Sequence, residues 1–265
     1  MVRVGVVQIV LVSRDLEFVS IAGFKQTSAS LFFLVALVKV GLIADPHSNF
    51  AALKAVLKAM PRVDQLICMG DLVGYAAEPN EVVKLARAKR MQTVMGNHDY
   101  AAVTRDVRGF NPFAAQAALW TAERLQKENL EYLSNLPTRL KLTYGGQRLY
   151  VVHGSPRDPL NEYIFPDTPN HALAELVRDL DADIIILGHT HMPMERVIFG
   201  KLVINPGGVG QPRDRDPRAS YAILNLGKEV KVSFHRVDYD VKITAEKIET
   251  AGLPSELATR LFFGW

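Results

Sequence analysis

The sequence predicts an α/β fold in a single domain, on three observations. From Val38 onward, short runs rich in Val, Ile and Leu alternate with amphipathic stretches. The runs end in polar clusters, and 48% hydrophobic residues in a chain of 265 suffice for a sizeable core. The first half reads as βαβαβ, with strands at 38–44, 65–69 and 91–95 and helices at 49–60 and 79–89 between them. Residues 111–136 space Phe113, Leu119, Trp120, Leu125, Leu130 and Leu133 as a helix does, and Pro137 stops them, so they form a helical flank or cap. Gly145 and Gly146 then join a hairpin of 139–144 with 148–153. A helix at 169–180, a buried strand at 183–187 and strands at 195–199, 202–205, 220–225 and 230–237 complete a second half expected to be largely antiparallel.

Residues 1–37 stand apart, lacking clear strand alternation and helix caps. They are read as an N-terminal extension, disordered or from a mis-assigned start, ahead of a domain at 38–265. The apolar run 4–12 after Arg3 is short for a secretory signal and no A-x-A site follows it. The run 31–43, broken by Lys39, falls short of the ~20 residues of a membrane span. No membrane partner is expected. With 31 basic against 28 acidic residues, the net charge of +3 is too small to argue for a nucleic-acid surface. Cys68 is the only cysteine, which excludes an intramolecular disulfide framework and Cys-rich zinc sites, and suits a reducing cytoplasm, the expected location.

Five clusters hold nearly all the unusual polar residues: Asp45-Pro46-His47, Gly70-Asp71, Gly96-Asn97-His98-Asp99, His153-Gly154 and Gly188-His189-Thr190-His191. Of the seven histidines only His171 and His235 lie elsewhere. Each cluster alone has a structural reading: a helix N-cap or turn acid for Asp45 or Asp71, a hydrogen-bonded core imidazole for His153, a left-handed turn for Asn97. Their concentration favours ligation, and imidazole with carboxylate suits zinc, iron or manganese. Asp45, His47, Asp71, Asn97, His153, His189 and His191 are seven candidate ligands, more than one ion uses. Two divalent ions fit better, and if Asp71 bridges them they sit ~3.5–4 Å apart. The loop 213–218 alternates Arg and Asp, which suits either phosphate binding through Arg213 or a solvated, self-paired loop. Tyr75 and Asn80 are further candidates for substrate contact.

The order D-x-H, G-D, G-N-H-D/E, H, G-H-x-H resembles that of the calcineurin-like metallophosphoesterases, over almost all of the chain after Val38. Residues 70–75 and 205–213 are similar to segments of the small bacterial and archaeal phosphodiesterase branch. The G-D-x-V-D-R-G run of the protein Ser/Thr phosphatases is missing, since Gly74 and Tyr75 follow Val73. The resemblance implies a sandwich of two mixed β-sheets flanked by helices, and hydrolysis of a small phosphodiester or phosphomonoester. It places Asp45, His47 and His191 on one metal, Asn97, His153 and His189 on the other, and Asp71 between them, with a shared hydroxide as nucleophile for in-line attack. His98 resembles the catalytic histidine, acting on the developing charge or the leaving oxygen, with Asp99 orienting it. Manganese is the ion the resemblance favours, with iron, zinc or nickel also compatible. Pro46 inside D-x-H and Gly208 in place of a frequent Ser depart from the common pattern without removing a ligand. Two other readings stand beside this one. A non-catalytic binding module, as in a retromer subunit of this fold, predicts missing ligands, and none is missing. A nuclease needs a basic track, so nucleic acid enters only as a substrate.

Overall fold

Two five-stranded sheets are built from β1 (Val38–Ile43), α1 (Phe50–Ala59), β2 (Gln65–Cys68), α2 (Pro79–Ala88), β3 (Gln92–Thr93), α3 (Asn97–Thr104), α4 (Pro112–Arg124), α5 (Lys127–Ser134), β4 (Arg139–Tyr144), β5 (Gln147–Val152), α6 (Asn170–Val177), β6 (Ile184–Ile186), β7 (Pro193–Ile198), β8 (Lys201–Pro206), β9 (Ala219–Leu226), β10 (Val230–Val237), α7 (Val241–Thr250) and α8 (Ser255–Thr259). This computed structural model describes residues 37–265, so the extension expected over 1–37 lies, but for Leu37, outside the described residues. The first sheet runs β10-β9-β1-β2-β3, the second β4-β5-β6-β8-β7. Both are mixed: β1, β2 and β3 are parallel, as are β5, β6 and β8, while β9, β10, β4 and β7 run antiparallel to their neighbours.

Side chains alternate across each strand, and this period of two explains the layering. Val40 and Leu42 of β1, Ile67 of β2, Ile184 and Ile186 of β6 and Ile204 of β8 meet in one core between the sheets. Ile43, Cys68, Leu53, Val56, Val82 and Val83 pack the opposite face of the first sheet under α1 and α2. Tyr150, Ile185, Val203, Leu173 and Val177 do the same for the second sheet under α6. Strands buried on both faces read as apolar runs, unbroken in β6 and in β1 interrupted only by Lys39 at its half-buried start.

The second half is largely antiparallel as expected, in the β4–β5, β7–β8, β1–β9 and β9–β10 ladders, but it is not a single antiparallel unit. Its central pairs, β5 with β6 and β6 with β8, are parallel, and β9 and β10 leave it to extend the first sheet beside β1. Residues 111–136 form two helices, because Leu125 is extended and Gln126 N donates to Asn80 Oδ1 at 2.8 Å. Asn80 is therefore a brace between α2 and the α4–α5 corner, with its amide on Arg124 O and Asn129 beside it, and not a substrate contact. Trp120 packs near α7 and donates Nε1–H to Ala251 O at 3.1 Å. Among the described residues no helix is long and apolar enough to cross a membrane.

Candidate metal centre

The carboxyl ends of parallel strands from both sheets converge, the position where ligand sites form in α/β sheets. Asp45 and His47 follow β1, Asp71 follows β2, Asn97 opens α3 after β3, His153 follows β5, and His189 and His191 follow β6. A parallel bridge between Ala44 and Gly208 joins the sheets beside this point, and Val209 N and Gly210 N donate to Ala44 O and Asp45 O at 2.8 and 2.9 Å. The backbone here is unusual: Asp45, His47, Ser48, Asp71, His189 and His191 all have positive φ, between 47° and 67°. Left-handed non-glycine residues cost about 1 kcal/mol each, and they persist where surrounding structure holds them.

Seven predicted ligands come together, all of them buried. Ligand atoms of Asp45, His47 and His191 lie within 4.8 Å of one another, as do those of Asp71, His153 and His189, and those of His47, Asp71 and His98. Carbonyl oxygens fix how four of the rings are protonated. His47 Nδ1–H donates to Val73 O at 3.1 Å, His153 Nδ1–H to Met69 O at 2.7 Å, His191 Nδ1–H to Gln211 O, and His189 Nε2–H to Asn161 O at 3.2 Å. A carbonyl only accepts, so each ring's other nitrogen turns inward as a lone pair when the imidazole is neutral.

Those inward atoms crowd against acceptors. His47 Nε2 and His191 Nε2 are 3.0 Å apart, and His153 Nε2 is 3.0 Å from both His189 Nδ1 and Asn97 Oδ1. Asp71 Oδ2 lies 3.3 Å from His153 Nε2 and 3.5 Å from His47 Nε2. Oδ2 of Asp45 and Oδ2 of Asp71 are buried without a hydrogen bond. With its imidazoles neutral the cage is acceptor-only, which is costly by itself and favourable around cations, so the donor set fits divalent metal ions.

The ionisation of the cage follows from burial and from Asp71. Burial drives His47 and His191 well below the usual imidazole range, and lowers His189 to about 3 and His98 to about 4. Burial pulls on His153 too, but Asp71 and then Asp45 overcome it and lift the ring to about 9. Asp71 resists burial because His153 and its neighbours hold it ionised, whereas burial raises Asp45. The His153 proton thus stands where a cation would. Metal uptake is expected to displace it: apparent affinity should rise about tenfold per pH unit between pH 7 and 9, more steeply below 7 as Asp45 also sheds a proton. Metal titration by calorimetry in buffers of different ionisation enthalpy reads the released proton, and pH-independent affinity would contradict the assignment.

His98 and Asp99 differ from expectation in one respect. His98 N donates to Asp71 Oδ1 at 2.8 Å, its ring meets Tyr75 and Phe110 at 4.4 and 4.7 Å, and its Nδ1 is buried without a partner. Asp99 does not hold it. Its two oxygens accept Val73 N and Gly96 N, both at 3.1 Å, so Asp99 caps α3 and ties it to the loop after Asp71. The His98 ring is positioned by packing: a Cβ on Gly74 would lie 2.4 Å from its Nδ1. Arg213 is drawn in through Tyr75, whose Oη accepts Arg213 Nη2 at 3.1 Å.

A cleft of about 350 Å³ opens on this centre, lined by Asn97, His98, Phe110, Asn161, Tyr163 and His189 among others. Tyr163, half-exposed, stacks on His189 at 3.8 Å. Sequence reasoning passed over Tyr163 and Phe110 because a single aromatic in a loop carries no periodic signal. It passed over Gln211 and Asn161 because both act here through main-chain carbonyls.

A family model described as the calcineurin-like phosphoesterase superfamily domain matches residues 38–229. An uncharacterised protein of Methanocaldococcus jannaschii is 37% identical over 244 residues, spanning 85% of this chain and 98% of that one. A crystal structure of a metallophosphoesterase from Sphaerobacter thermophilus superposes with a TM-score of 0.76 at 38% identity, covering 87% of this chain and all of the other. A hypothetical protein from Pyrococcus horikoshii gives 0.78 at 25% identity, over 86% and 99%.

Proposed function

Since the chain belongs to the calcineurin-like phosphoesterase superfamily, we propose that it is a phosphoester hydrolase acting on phosphodiesters at a centre of two divalent cations. The acceptor-only cage, with two orphaned carboxylate oxygens, carries this reading. Asp45, His47 and His191 would hold one ion, and Asn97, His153 and His189 the other, with Asp71 shared. Such ions supply Lewis acidity toward a phosphoryl oxygen and a nucleophile at neutral pH. Around them, the carbonyls of Met69, Val73, Asn161 and Gln211 keep the imidazoles in the ligating tautomer. His98, on the cleft wall and neutral, offers one N–H to the phosphoryl or leaving oxygen. Manganese is the ion to try first, and the donor set also accepts iron, zinc or nickel. The buried, solitary Cys68 suits a reducing cytoplasm, the compartment we propose.

The test is hydrolysis of bis(p-nitrophenyl) phosphate and p-nitrophenyl phosphate by metal-stripped protein, with Mn, Ni, Zn or Mg restored. Turnover is expected to depend on the ion and to favour the diester. His98→Ala should lower kcat by about 100- to 1,000-fold while both ions stay bound. Full metal loading with no turnover on either ester would overturn the hydrolase reading.

A further inference from the structure

The acids of the loop 213–218 face away from Arg213. Asp214 pairs with Arg236, and Asp216 with Arg218 at 2.7 Å. Among the described residues Arg213 has no carboxylate partner: Nη2 reaches Tyr75 Oη and Gln211 Oε1 at 3.1 and 3.3 Å, and Nε is buried without a hydrogen bond. Arg260, at the end of α8, approaches the same phenol. The two guanidinium carbons lie 5.8 and 5.9 Å from the Tyr75 ring centroid. Arg260 gives only its Nε, to a main-chain oxygen of Trp265, so both its Nη groups are unpaired among the described residues. Burial, and then the charge of Arg213, weaken its hold on its proton.

Two guanidinium groups converging on one buried ring repel each other and are partly withheld from water, an arrangement an anion relieves through charge-assisted hydrogen bonds. Tyr75 also connects this pair to the cage, since its ring lies 4.6 Å from His47 and 4.4 Å from His98. We propose that Arg213, Arg260 and Tyr75 Oη form a second anion site, which takes a further phosphoryl group of the same substrate beside the one under attack. The favoured substrates are then phosphate compounds that carry a second phosphate, such as nucleoside diphosphate derivatives. This inference rests on the phosphohydrolase reading and narrows it.

The experiment compares binding of ADP and AMP to the manganese-loaded full-length protein by calorimetry, in wild type, Arg260→Gln and Arg260→Lys. Wild type should bind ADP at least about tenfold tighter than AMP, and Arg260→Gln should cut that preference about fivefold or more. Arg260→Lys keeps the charge and loses the fork, and should fall between the two. It remains informative if circular dichroism finds the Gln variant unfolded. Capture of manganese by ADP is common to all three proteins and cancels in the ratio of preferences. Equal ADP preference in wild type and a folded Arg260 variant overturns the second site, whatever the turnover of bis(p-nitrophenyl) phosphate. Absence of turnover on either chromogenic ester in the loaded wild type overturns the hydrolase reading by a separate measurement.

Discussion

Asp71→Asn is expected to lower kcat/KM on a chromogenic diester by at least about a thousandfold, equivalent to ~4 kcal/mol of transition-state stabilisation. The substitution is nearly isosteric and can keep the 2.8 Å bond from His98 N to Oδ1, so the backbone has little reason to move. What it removes is the charge between His47 and His153, and it turns an N–H into a cage of lone pairs. Two further readouts separate this from misfolding. Bound metal should fall below the wild-type stoichiometry by at least one ion per chain. In the metal-free protein, His153 should lose the lift that Asp71 gives it and shed its proton at a lower pH than in wild type, visible as a shifted imidazole titration by NMR. Turnover within tenfold of wild type, with both ions retained, would sink the shared-ligand role.

Gly96→Ala should be strongly damaging to both fold and activity. The backbone at Gly96 is extended (φ −96°), which any residue adopts, so the cost is purely one of contact. A Cβ there would lie 2.1 Å from Asp71 Oδ1 and 2.4 Å from Asp71 N, neither of which can retreat without moving the ligand. We expect about 3 kcal/mol of destabilisation, a fall of about 6–12 °C in Tm, with loss of diester hydrolysis. Gly109→Ala is the control: its added Cβ meets nothing within 4 Å, and only its φ of +83° opposes the change, at about 1 kcal/mol. Equal melting temperatures for the two variants would refute the close approach of Gly96 to Asp71.

Much of this was legible in the sequence because the relevant signals are local. β1 and β6 announce themselves as apolar runs, Gly145-Gly146 marks its hairpin, and the ligands cluster where strands stop. The parallel centre of the second half, and the passage of β9 and β10 to the first sheet, were not legible because pairing partners are not local. Nothing in residues 219–237 states that they join β1, whose register with β9 links Val38 to Leu226. α3 was passed over because it begins inside a ligand motif, where Asn97 and His98 read as chemistry and Asp99, the residue that caps the helix, read as part of it too. The role given to Asp99 failed for the same reason: a carboxylate one residue from a histidine suggests a pair, but on a helix adjacent side chains diverge. The left-handed backbone at Asp45, His47, Asp71, His189 and His191 has no glycine to advertise it. Arg260 contributes through a tertiary approach that no motif encodes.

Each proposed ion would draw donors from both sheets: Asp45 and His47 with His191 for one, Asn97 with His153 and His189 for the other. The centre is then a pair of rivets through the seam of the sandwich. Sliding or parting of the sheets must break coordination, so ion release and separation of the layers become one event. A protein assembled this way would couple its mechanical integrity to the free metal concentration around it, and the residues proposed for the chemistry would also set how long the fold survives when metal is scarce.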